Sequence, residues 1–535
     1  MAVLDNNSIV AVIGSGAMGA GIAQVAAAAG YRVKLYDTRA EAVSKALADI
    51  GKMYAKLAEK GRMTADEASA ATARLQAAGS LADVSDAALV VEAIVENLDV
   101  KRGLFAELEA LVSDDCILAT NTSSISVTAI AAKLRRPERL VGMHFFNPVP
   151  LMALVEVISG LATSEQVAAT VYDTSIAWGK NPVHAKSTPG FIVNRVARPF
   201  YAEGWRLLNE QAGDAATIDA VLREAGGFRM GPFELMDLIG HDVNFSVTQS
   251  VFGAYFNDPR FTPSVLQQEM VNAGFLGRKS GRGFYLYGEG APVPVAQAEG
   301  AQPQPEFVAL SAAVGGDGRG HSGVIRSLVQ RLEQASITVS RRVMQEGQAM
   351  DEAPALHCHG AAIYLTDGRS ATQRAHDNQH PDTVLFDLAL DYAGAKRIAV
   401  ARADQCSDAA YAAVVGLFQA AGFIVTRLDD VPGLAVMRTV AMLANEAADA
   451  VNQGVCTVAA VDIAMQKGVN YPRGPLAWAD AIGVQHIVTV LQHLALGYGE
   501  DRYRVSPLLR RKNAVKHSNN DSVNQINPAA PAPRR

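Results

Sequence analysis

Residues 8–37 read SIVAVIGSGAMGAGIAQVAAAAGYRVKLYD, and this stretch decides the fold of the chain. A short apolar run leads into a G-x-G-x-x-G turn at Gly14, Gly16 and Gly19, and a second apolar run ends at Asp37. This order predicts a strand, a tight turn, an alanine-rich helix and a parallel second strand. The free N–H groups at the start of such a helix bind a pyrophosphate, so the stretch predicts a dinucleotide site.

The turn also predicts which dinucleotide binds. Gly14 allows the tight turn, Gly16 lets the main chain approach the pyrophosphate, and Gly19 lets the helix pack on the strand. Asp37 accepts hydrogen bonds from ribose hydroxyls and repels a 2′-phosphate, which favours NAD over NADP. The predicted cofactor-binding residues here are Gly14, Gly16, Ala17, Met18, Gly19 and Asp37.

Length and composition describe an ordinary globular protein. The 535 residues predict about two to four domains. Hydrophobic residues make up 49%, charged residues 19% and the net charge is −6, which gives no broad basic surface for nucleic acid. No apolar stretch reaches the length of a membrane-spanning helix, and the first ten residues do not resemble a signal peptide. We therefore expect a cytoplasmic protein that does not bind membranes.

The cysteines indicate neither a disulfide framework nor a metal site. They are scattered singly, which fits a reducing compartment, at Cys116, Cys358, Cys406 and Cys456. The cluster His357-Cys358-His359 lacks a second ligand pair at a usual spacing, so no metal is expected.

Strand-like and helical segments alternate in the first third of the chain. ALVVEAI (88–94) and CILATNTS (116–123) alternate with helical segments at 41–59 and 99–112, which predicts a doubly wound parallel α/β sheet of the Rossmann type. After Thr188 the apolar periodicity becomes helical, which predicts an all-α domain.

The helical domain occurs twice. PGFIVNR (189–195) aligns with PGLAVMR (432–438), and FRMGPFELMDLIG (228–240) aligns with YPRGPLAWADAIG (471–483), both 243 residues apart. Strand-like runs in 361–430 precede the second copy and predict a reduced α/β unit, whose lack of a G-x-G turn predicts no bound dinucleotide. The predicted domains are the Rossmann domain 1–187, the helical domain 188–287, a linker 288–306, the reduced unit 307–430, the second helical domain 431–517 and a disordered tail 518–535.

A candidate proton-transfer pair lies in HFFNPVPLMALVEVI (144–158), between two strand-like runs joined by a turn. His144 and Glu156 suit this chemistry, because imidazole exchanges a proton near neutral pH and a carboxylate fixes its tautomer. On spacing alone, a turn-capping histidine and a glutamate on a solvated strand face explain the pattern equally well.

Five segments together resemble the L-3-hydroxyacyl-CoA dehydrogenases, and the resemblance covers about residues 1–287. These segments are VVEAIVEN (90–97), NTSSISVT (121–128), GMHFFNPVPLMALVEVI (142–158), TPGFIVNR (188–195) and MGPFELMDLIG (230–240). The length and the two helical copies resemble the long bacterial form of phenylacetate degradation, in which the substrate is 3-hydroxyadipyl-CoA. The resemblance implies a monofunctional enzyme that oxidises the C3 hydroxyl of a 3-hydroxyacyl-CoA with NAD.

The resemblance also assigns catalytic roles. It implies that His144 is the general base, that Glu156 orients it, and that Ser123 and Asn194 contact the substrate oxygen. The alternative for Ser123 and Asn194 is helix or turn capping alone. Asn194 aligns with Met437 in the second copy, so a single catalytic centre is expected.

Ligand contacts outside the catalytic centre follow from the resemblance and from a charge pattern. The resemblance places Glu96 and Lys101 beside NAD; without it they are an ordinary surface pair. Lys52, Lys56 and Lys60 recur every fourth residue and form a basic face that suits the phosphates of CoA, or only a solvated helix face.

The oligomeric state and two other functions stay open. The family's helical domain commonly forms a dimer interface, which the second copy would cover internally as a pseudo-dimer, and a homodimer stays possible. Two other functions compete: another β-hydroxyacid dehydrogenase, a class that uses a catalytic lysine, and a nucleotide-binding structural protein of the crystallin type.

Overall fold

The computed structural model describes residues 3–311, 321–335, 337–342 and 353–524. The chain forms two compact units, Met1–Val196 with Gln453–Gly474, and Ala197–Asn452 with Pro475–Arg535. Among the described residues, no helix is long and apolar enough to span a membrane.

The first unit contains an eight-stranded sheet in the order β3-β2-β1-β4-β5-β6-β7-β8. Neighbouring strands are parallel except β6 and β7, which are antiparallel. The strands are β1 Ile9–Ile13, β2 Arg32–Tyr36, β3 Leu75–Ala77, β4 Leu89–Glu92, β5 Ile117–Thr120, β6 Leu140–Phe145, β7 Leu154–Ser159 and β8 Asn181–Lys186. The predicted Rossmann fold is confirmed, with its last two strands reversed.

Helices cover this sheet, and strand β1, IVAVI, is buried along its whole length. Such an unbroken apolar run is typical of a central strand covered on both faces. The helices of the first unit that precede residue 197 are α1 Ala17–Ala28, α2 Ala40–Glu59, α3 Ala65–Ala73, α4 Leu98–Leu111, α5 Val127–Ala131, α6 Glu165–Ala177 and α7 Val193–Val196.

The second unit contains a seven-stranded sheet in the order β10-β9-β11-β12-β13-β14-β15. Its strands are β9 Phe307–Ser311, β10 Thr338–Arg342, β11 Leu356–Cys358, β12 Ala361–Leu365, β13 Thr383–Phe386, β14 Arg397–Arg402 and β15 Ile424–Arg427. This is the predicted reduced α/β unit, with antiparallel pairs at β9/β11, β11/β12 and β13/β14.

Both helical copies contribute to the second unit. The helices are α8 Arg198–Asn209, α9 Ala215–Glu224, α10 Pro232–Ile239, α11 His241–Ala254, α12 Val265–Asn272, α13 His321–Gln334, α14 Ala371–Asp377, α15 Asp408–Ala420, α16 Val436–Asn452, α18 Pro475–Ile482, α19 Val484–Tyr498 and α20 Pro507–Asn524. Helix α8 of the first copy packs on α16 of the second. At this contact Arg438 donates to Glu203 at 2.6 Å and to Glu210 at 2.8 Å, and neither Arg438 nor Glu203 is exposed.

The 243-residue repeat extends beyond the helical copies. Strands β13, β14 and β15 begin 243 residues after β6, β7 and β8, respectively. The pair β13/β14 is antiparallel like β6/β7, and the pair β14/β15 is parallel like β7/β8. The end of the second sheet is therefore a copy of the end of the first.

The expected continuous domain 431–517 is not one body. Helix α17, Val458–Gly468, packs on β7 and β8 in the first unit, and Lys186 donates its main-chain N–H to Val455. In the second unit, α9 of the first copy packs on β14, where Arg397 binds Glu224 at 3.0 Å. Each sheet is thus covered by a helix from the other half of the sequence, which local periodicity does not encode.

The remaining expectations concern the linker, the tail and the metal. Residues 291–305 contain neither helix nor strand, as expected of a linker. The segment is nevertheless held in place, because the Gln297 N–H donates to the Thr217 hydroxyl and the Glu299 N–H donates to the Val425 carbonyl oxygen. The sequence predicts a disordered tail from 518, whereas α20 continues to Asn524; residues 525–535 lie outside the described part. The described residues include no cluster of three or more metal-binding side chains, the His357–His359 segment included.

Candidate active site

The glycine turn between β1 and α1 has the geometry of a pyrophosphate cradle. Gly14 has φ +105°, and a Cβ there would lie 2.5 Å from the Ala93 carbonyl oxygen. A Cβ on Gly19 would lie 1.8 Å from the Gly14 oxygen, whereas a Cβ on Gly16 would meet no atom within 4 Å. The turn is closed on the protein side and open at Gly16, so the residues present fit a dinucleotide.

Asp37 follows β2 and faces this turn. Its Oδ2 accepts hydrogen bonds from the main-chain N–H and the hydroxyl of Ser15, both at 2.9 Å. Burial alone would raise the pKa of Asp37, but the hydrogen bonds from Ser15 and Arg39 outweigh it and lower that pKa. Asp37 is therefore an anion at neutral pH.

His144 and Glu156 face each other on antiparallel strands β6 and β7, in direct register. His144 Nδ1 lies 2.6 Å from Glu156 Oε2, and Glu156 is fully buried. The other oxygen, Oε1, accepts the main-chain N–H groups of Ile192 and Val193 at 2.9 and 3.0 Å. A carboxylate at Nδ1 favours the tautomer with the proton on Nδ1, which leaves Nε2 as an acceptor.

Ser123 and Asn194 adjoin each other in the same unit. The Asn194 side-chain Nδ2 donates to the Ser123 carbonyl oxygen at 3.2 Å, and both residues are half-buried. Asn194 follows Val193, whose N–H binds Glu156, so one short segment carries both contacts. Sequence reasoning missed Asn121, whose Oδ1 accepts the N–H of Phe145 at 2.8 Å and ties the Ser123 turn to the end of β6.

Glu96 and Lys101 occupy different environments. Glu96 Oε1 accepts hydrogen bonds from Thr122 Oγ1 at 2.6 Å, from the Ser123 N–H at 3.0 Å and from the Ser124 hydroxyl at 2.9 Å. Burial raises the pKa of Glu96, but these bonds and the charge of Lys101 lower it further than burial raises it. Glu96 therefore holds the serine turn as a carboxylate.

Lys101 is buried rather than exposed on the surface. Its side chain is only 1% exposed, and its Nζ binds Glu92 at 2.6 Å and Glu96 at 3.3 Å. Spacing alone suggests a surface pair with Glu96, but Lys101 forms its buried ion pair with Glu92 at the end of β4. In this arrangement Lys101 orients Glu96.

Lys180 is a further residue that sequence reasoning missed. Its buried Nζ donates to the carbonyl oxygens of Val149 and Met152 in the turn that joins the His144 and Glu156 strands. Burial lowers the pKa of Lys180 to about 8. No sequence motif distinguishes it from an ordinary lysine in a turn.

The three lysines of the basic face lie on α2 and at its C-terminal end. Lys52, Lys56 and Lys60 are all exposed, and Lys52 lies 3.6 Å from Asp49. The structure brings them to one helix face but places no side chain of the catalytic group against them. Their contact with CoA stays a prediction.

Comparisons with known proteins agree with this geometry. Residues 9–188 match the model of the 3-hydroxyacyl-CoA dehydrogenase NAD-binding domain, and residues 190–287 and 433–526 both match its C-terminal domain. Residues 363–432 match the reduced Rossmann-fold domain of 3-hydroxybutyryl-CoA dehydrogenase.

Two of the relatives cover nearly the whole chain, and a third covers its first half. A 3-hydroxyadipyl-CoA dehydrogenase from Escherichia coli K12 is 42% identical over 95% of this chain and 98% of its own. A crystal structure of 3-hydroxybutyryl-CoA dehydrogenase from E. coli K12 matches with TM-score 0.85 at 40% identity, covering 96% of this chain and all of the other. The (S)-3-hydroxybutyryl-CoA dehydrogenase PaaH1 of Ralstonia eutropha matches over 53% of this chain and all of its own, with TM-score 0.52 at 39% identity.

The fold and the site thus define an NAD-dependent oxidoreductase. The chain belongs to the 3-hydroxyacyl-CoA dehydrogenase family.

Proposed function

We propose that the chain oxidises the C3 hydroxyl of a (3S)-3-hydroxyacyl-CoA to the 3-oxoacyl-CoA, with His144 as general base. The observation that carries this proposal is the His144–Glu156 pair at 2.6 Å, in the unit that also holds the glycine turn and the Ser123–Asn194 contact. The same unit supplies a proton acceptor, polar groups for the substrate oxygen and a cradle for the cofactor.

In this proposal the role of each residue follows from its contacts. His144 Nε2 takes the hydroxyl proton, and the Glu156 carboxylate stabilises the imidazolium that results. Ser123 and Asn194 hold the C3 oxygen, while Glu96 fixes the serine turn and Lys101 fixes Glu96. The glycine turn and Asp37 would hold NAD, which would supply the hydride acceptor.

For the acyl group, we favour 3-hydroxyadipyl-CoA, as in phenylacetate catabolism, with 3-hydroxybutyryl-CoA as the alternative. The E. coli relative whose name specifies the adipyl substrate shares both halves of this chain. The structural relative with the same two halves is named for the butyryl substrate, so the choice needs a kinetic test.

NADH oxidation with 3-oxoadipyl-CoA, acetoacetyl-CoA and a longer 3-oxoacyl-CoA makes this test. We expect kcat/KM to be highest for 3-oxoadipyl-CoA. A preference for acetoacetyl-CoA would assign the butyryl substrate, and no turnover of any 3-oxoacyl-CoA would contradict the proposed reaction.

Lys52, Lys56 and Lys60 bind the CoA phosphates in this proposal. Replacing all three by methionine should raise KM for acetoacetyl-CoA and leave KM for acetoacetyl-pantetheine unchanged, because pantetheine lacks those phosphates. Lys45→Met is the matched control, since Lys45 lies on the same helix in an ion pair with Asp49. Equal KM values for the triple variant and this control would remove the lysines from the site.

In this proposal the protein is cytoplasmic. Its second helical copy packs on the first as a dimer partner would, which makes the chain an internal pseudo-dimer. Helix α8 buries its Glu203 against Arg438 of α16, so removal of the second half exposes a charged and apolar face. A fragment that ends at about residue 290 should self-associate or aggregate in light scattering. A monomeric, soluble and fully active fragment would contradict this role.

A further inference from the structure

A cavity of about 350 Å³ lies inside the second unit, and none of the residues assigned a role above in catalysis or in NAD or CoA binding lines it. Four arginines line it, namely Arg198, Arg206, Arg260 and Arg502. The acidic residues of its wall are Glu210 and Glu500. The wall therefore carries more positive than negative charge.

The ion pairs around the cavity leave Arg502 poorly compensated. Arg260 is paired with Glu446 at 3.0 Å and also binds Asp449. Glu500 binds Arg206 at 2.5 Å and shares its carboxylate with Arg502 at 3.5 Å. Burial lowers the pKa of Arg502 despite the attraction of Glu203 and Glu500, because a buried charge is costly without a close partner of its own.

The other walls are apolar. Tyr201, Phe261, Val265 and Tyr498 line the cavity, and the Arg198 guanidinium lies 4.8 Å from the centre of the Tyr201 ring. The volume is at the lower end of the range for small-molecule pockets. A ligand that fits therefore has one anionic end and a small apolar body.

We propose that this cavity binds a small carboxylate with an apolar body, whose carboxylate pairs with Arg502. A planar carboxylate matches the fork of a guanidinium and supplies the close anionic partner that Arg502 lacks, since Glu500 lies 3.5 Å away and also binds Arg206. The aromatic rings contact the apolar body. This site is separate from the predicted acyl-CoA site and does not depend on the proposed reaction.

Isothermal titration of the full chain with benzoate tests the proposal, and benzamide is the neutral probe of the same shape. We expect one benzoate per chain, at least about tenfold weaker binding of benzamide, and no competition by NADH or acetoacetyl-CoA. Arg502→Met should weaken benzoate binding about tenfold or more and leave dehydrogenase activity unchanged. The matched control is Arg402→Met, which removes a partly exposed arginine of the same unit that pairs with Asp408.

Several results would overturn the proposal. These are no benzoate binding, equal binding of benzamide, an unchanged affinity in Arg502→Met, or competition by acetoacetyl-CoA, which would place benzoate in the catalytic site. Equal affinity for inorganic phosphate would likewise show an anion site without an apolar part. If Arg502→Met fails to fold, Arg502→Lys keeps the charge and should still weaken benzoate binding, because the guanidinium fork is lost.

Discussion

The end of β6 and the corresponding end of β13 contain the same backbone with different chemistry. His144 near the end of β6 corresponds to Asp387, 243 residues later, and Glu156 corresponds to Ala399. In the first sheet Glu156 accepts the N–H groups of Ile192 and Val193; in the second sheet Asp387 accepts those of Ala435 and Val436, also 243 residues later. The carboxylate lies on β7 in the first sheet and directly after β13 in the second, but in both it binds the start of the corresponding helix.

This difference separates what the fold requires from what the chemistry requires. Both copies keep an acceptor for the helix N–H groups, whereas only the first keeps an imidazole and the asparagine that corresponds to Met437. In the proposed mechanism, one oxygen of Glu156 therefore holds the helix N–H groups and the other orients the catalytic His144.

Replacing His144 should give the largest effect. His144→Ala should lower kcat about 10²–10⁴-fold, because the general base is lost, while NADH affinity stays close to wild type. The counterpart variant Asp387→Asn should retain activity. Stopped-flow kinetics and NADH fluorescence titration measure both quantities, and near wild-type kcat in His144→Ala would remove His144 from the mechanism.

Glu156→Gln should lower both activity and stability. If the amide oxygen stays on Ile192 and Val193, the NH₂ group faces His144 and forces the proton onto Nε2, where it blocks base catalysis. We expect kcat to fall about 10–10³-fold and the free energy of unfolding to fall by about 1–3 kcal/mol. Steady-state kinetics measures the change in kcat, and urea unfolding measures the change in stability. A loss of activity at unchanged stability would show that the helix contact is dispensable.

Asp387 should make stability depend on pH. Burial raises its pKa from 3.8 to about 6, despite hydrogen bonds from main-chain N–H groups, so the folded state binds its proton more tightly than the unfolded state. Its contribution to the free energy of unfolding should therefore fall as pH rises from about 4 to above 6, by up to about 2–3 kcal/mol. The free energy of unfolding of the wild type, minus that of Asp387→Asn, should therefore fall over this range, because the variant has no carboxyl group there to titrate.

The control for this titration is Asp115→Asn, which removes an exposed aspartate. Its stability difference from wild type should stay constant with pH. If the difference for Asp387→Asn also stays constant, the carboxyl of Asp387 has the same pKa in the folded and unfolded states.

Replacing Asp37 should give the smallest effect. Asp37→Ala should narrow the preference for NAD over NADP by about tenfold, or ~1.4 kcal/mol, because the repulsion of a 2′-phosphate is lost. Steady-state kinetics with both cofactors measures this ratio. Equal use of NAD and NADP by the wild type would show that Asp37 does not select the cofactor.

The sequence predicts local features well where turn chemistry determines them. The stretch 8–37 predicts β1, α1 and β2 with their glycine turn, because each glycine has a local steric reason. The pairing of His144 with Glu156 was one of two open interpretations, and only the antiparallel register of β6 and β7 places them opposite each other.

Contacts between distant segments could not be predicted in the same way. Lys101 reads as a surface residue five positions after Glu96, yet it is buried because Glu92 lies beneath it. Periodicity in the sequence likewise does not predict three other contacts between distant segments. These are the bond from Glu156 to the Ile192 N–H, the bonds from Lys180 to carbonyl oxygens, and the packing of α17 on β7.

The position of α17 has a consequence for synthesis in the cell. Residues 453–474 complete the first unit, so the surface of β7 and β8 on which α17 packs stays uncovered while more than 250 intervening residues are translated. At about 5–20 residues per second, that delay is roughly 10–50 s. During this time β7 and β8, including the strand of Glu156, present apolar surface on the ribosome, where a chaperone would shield it from aggregation.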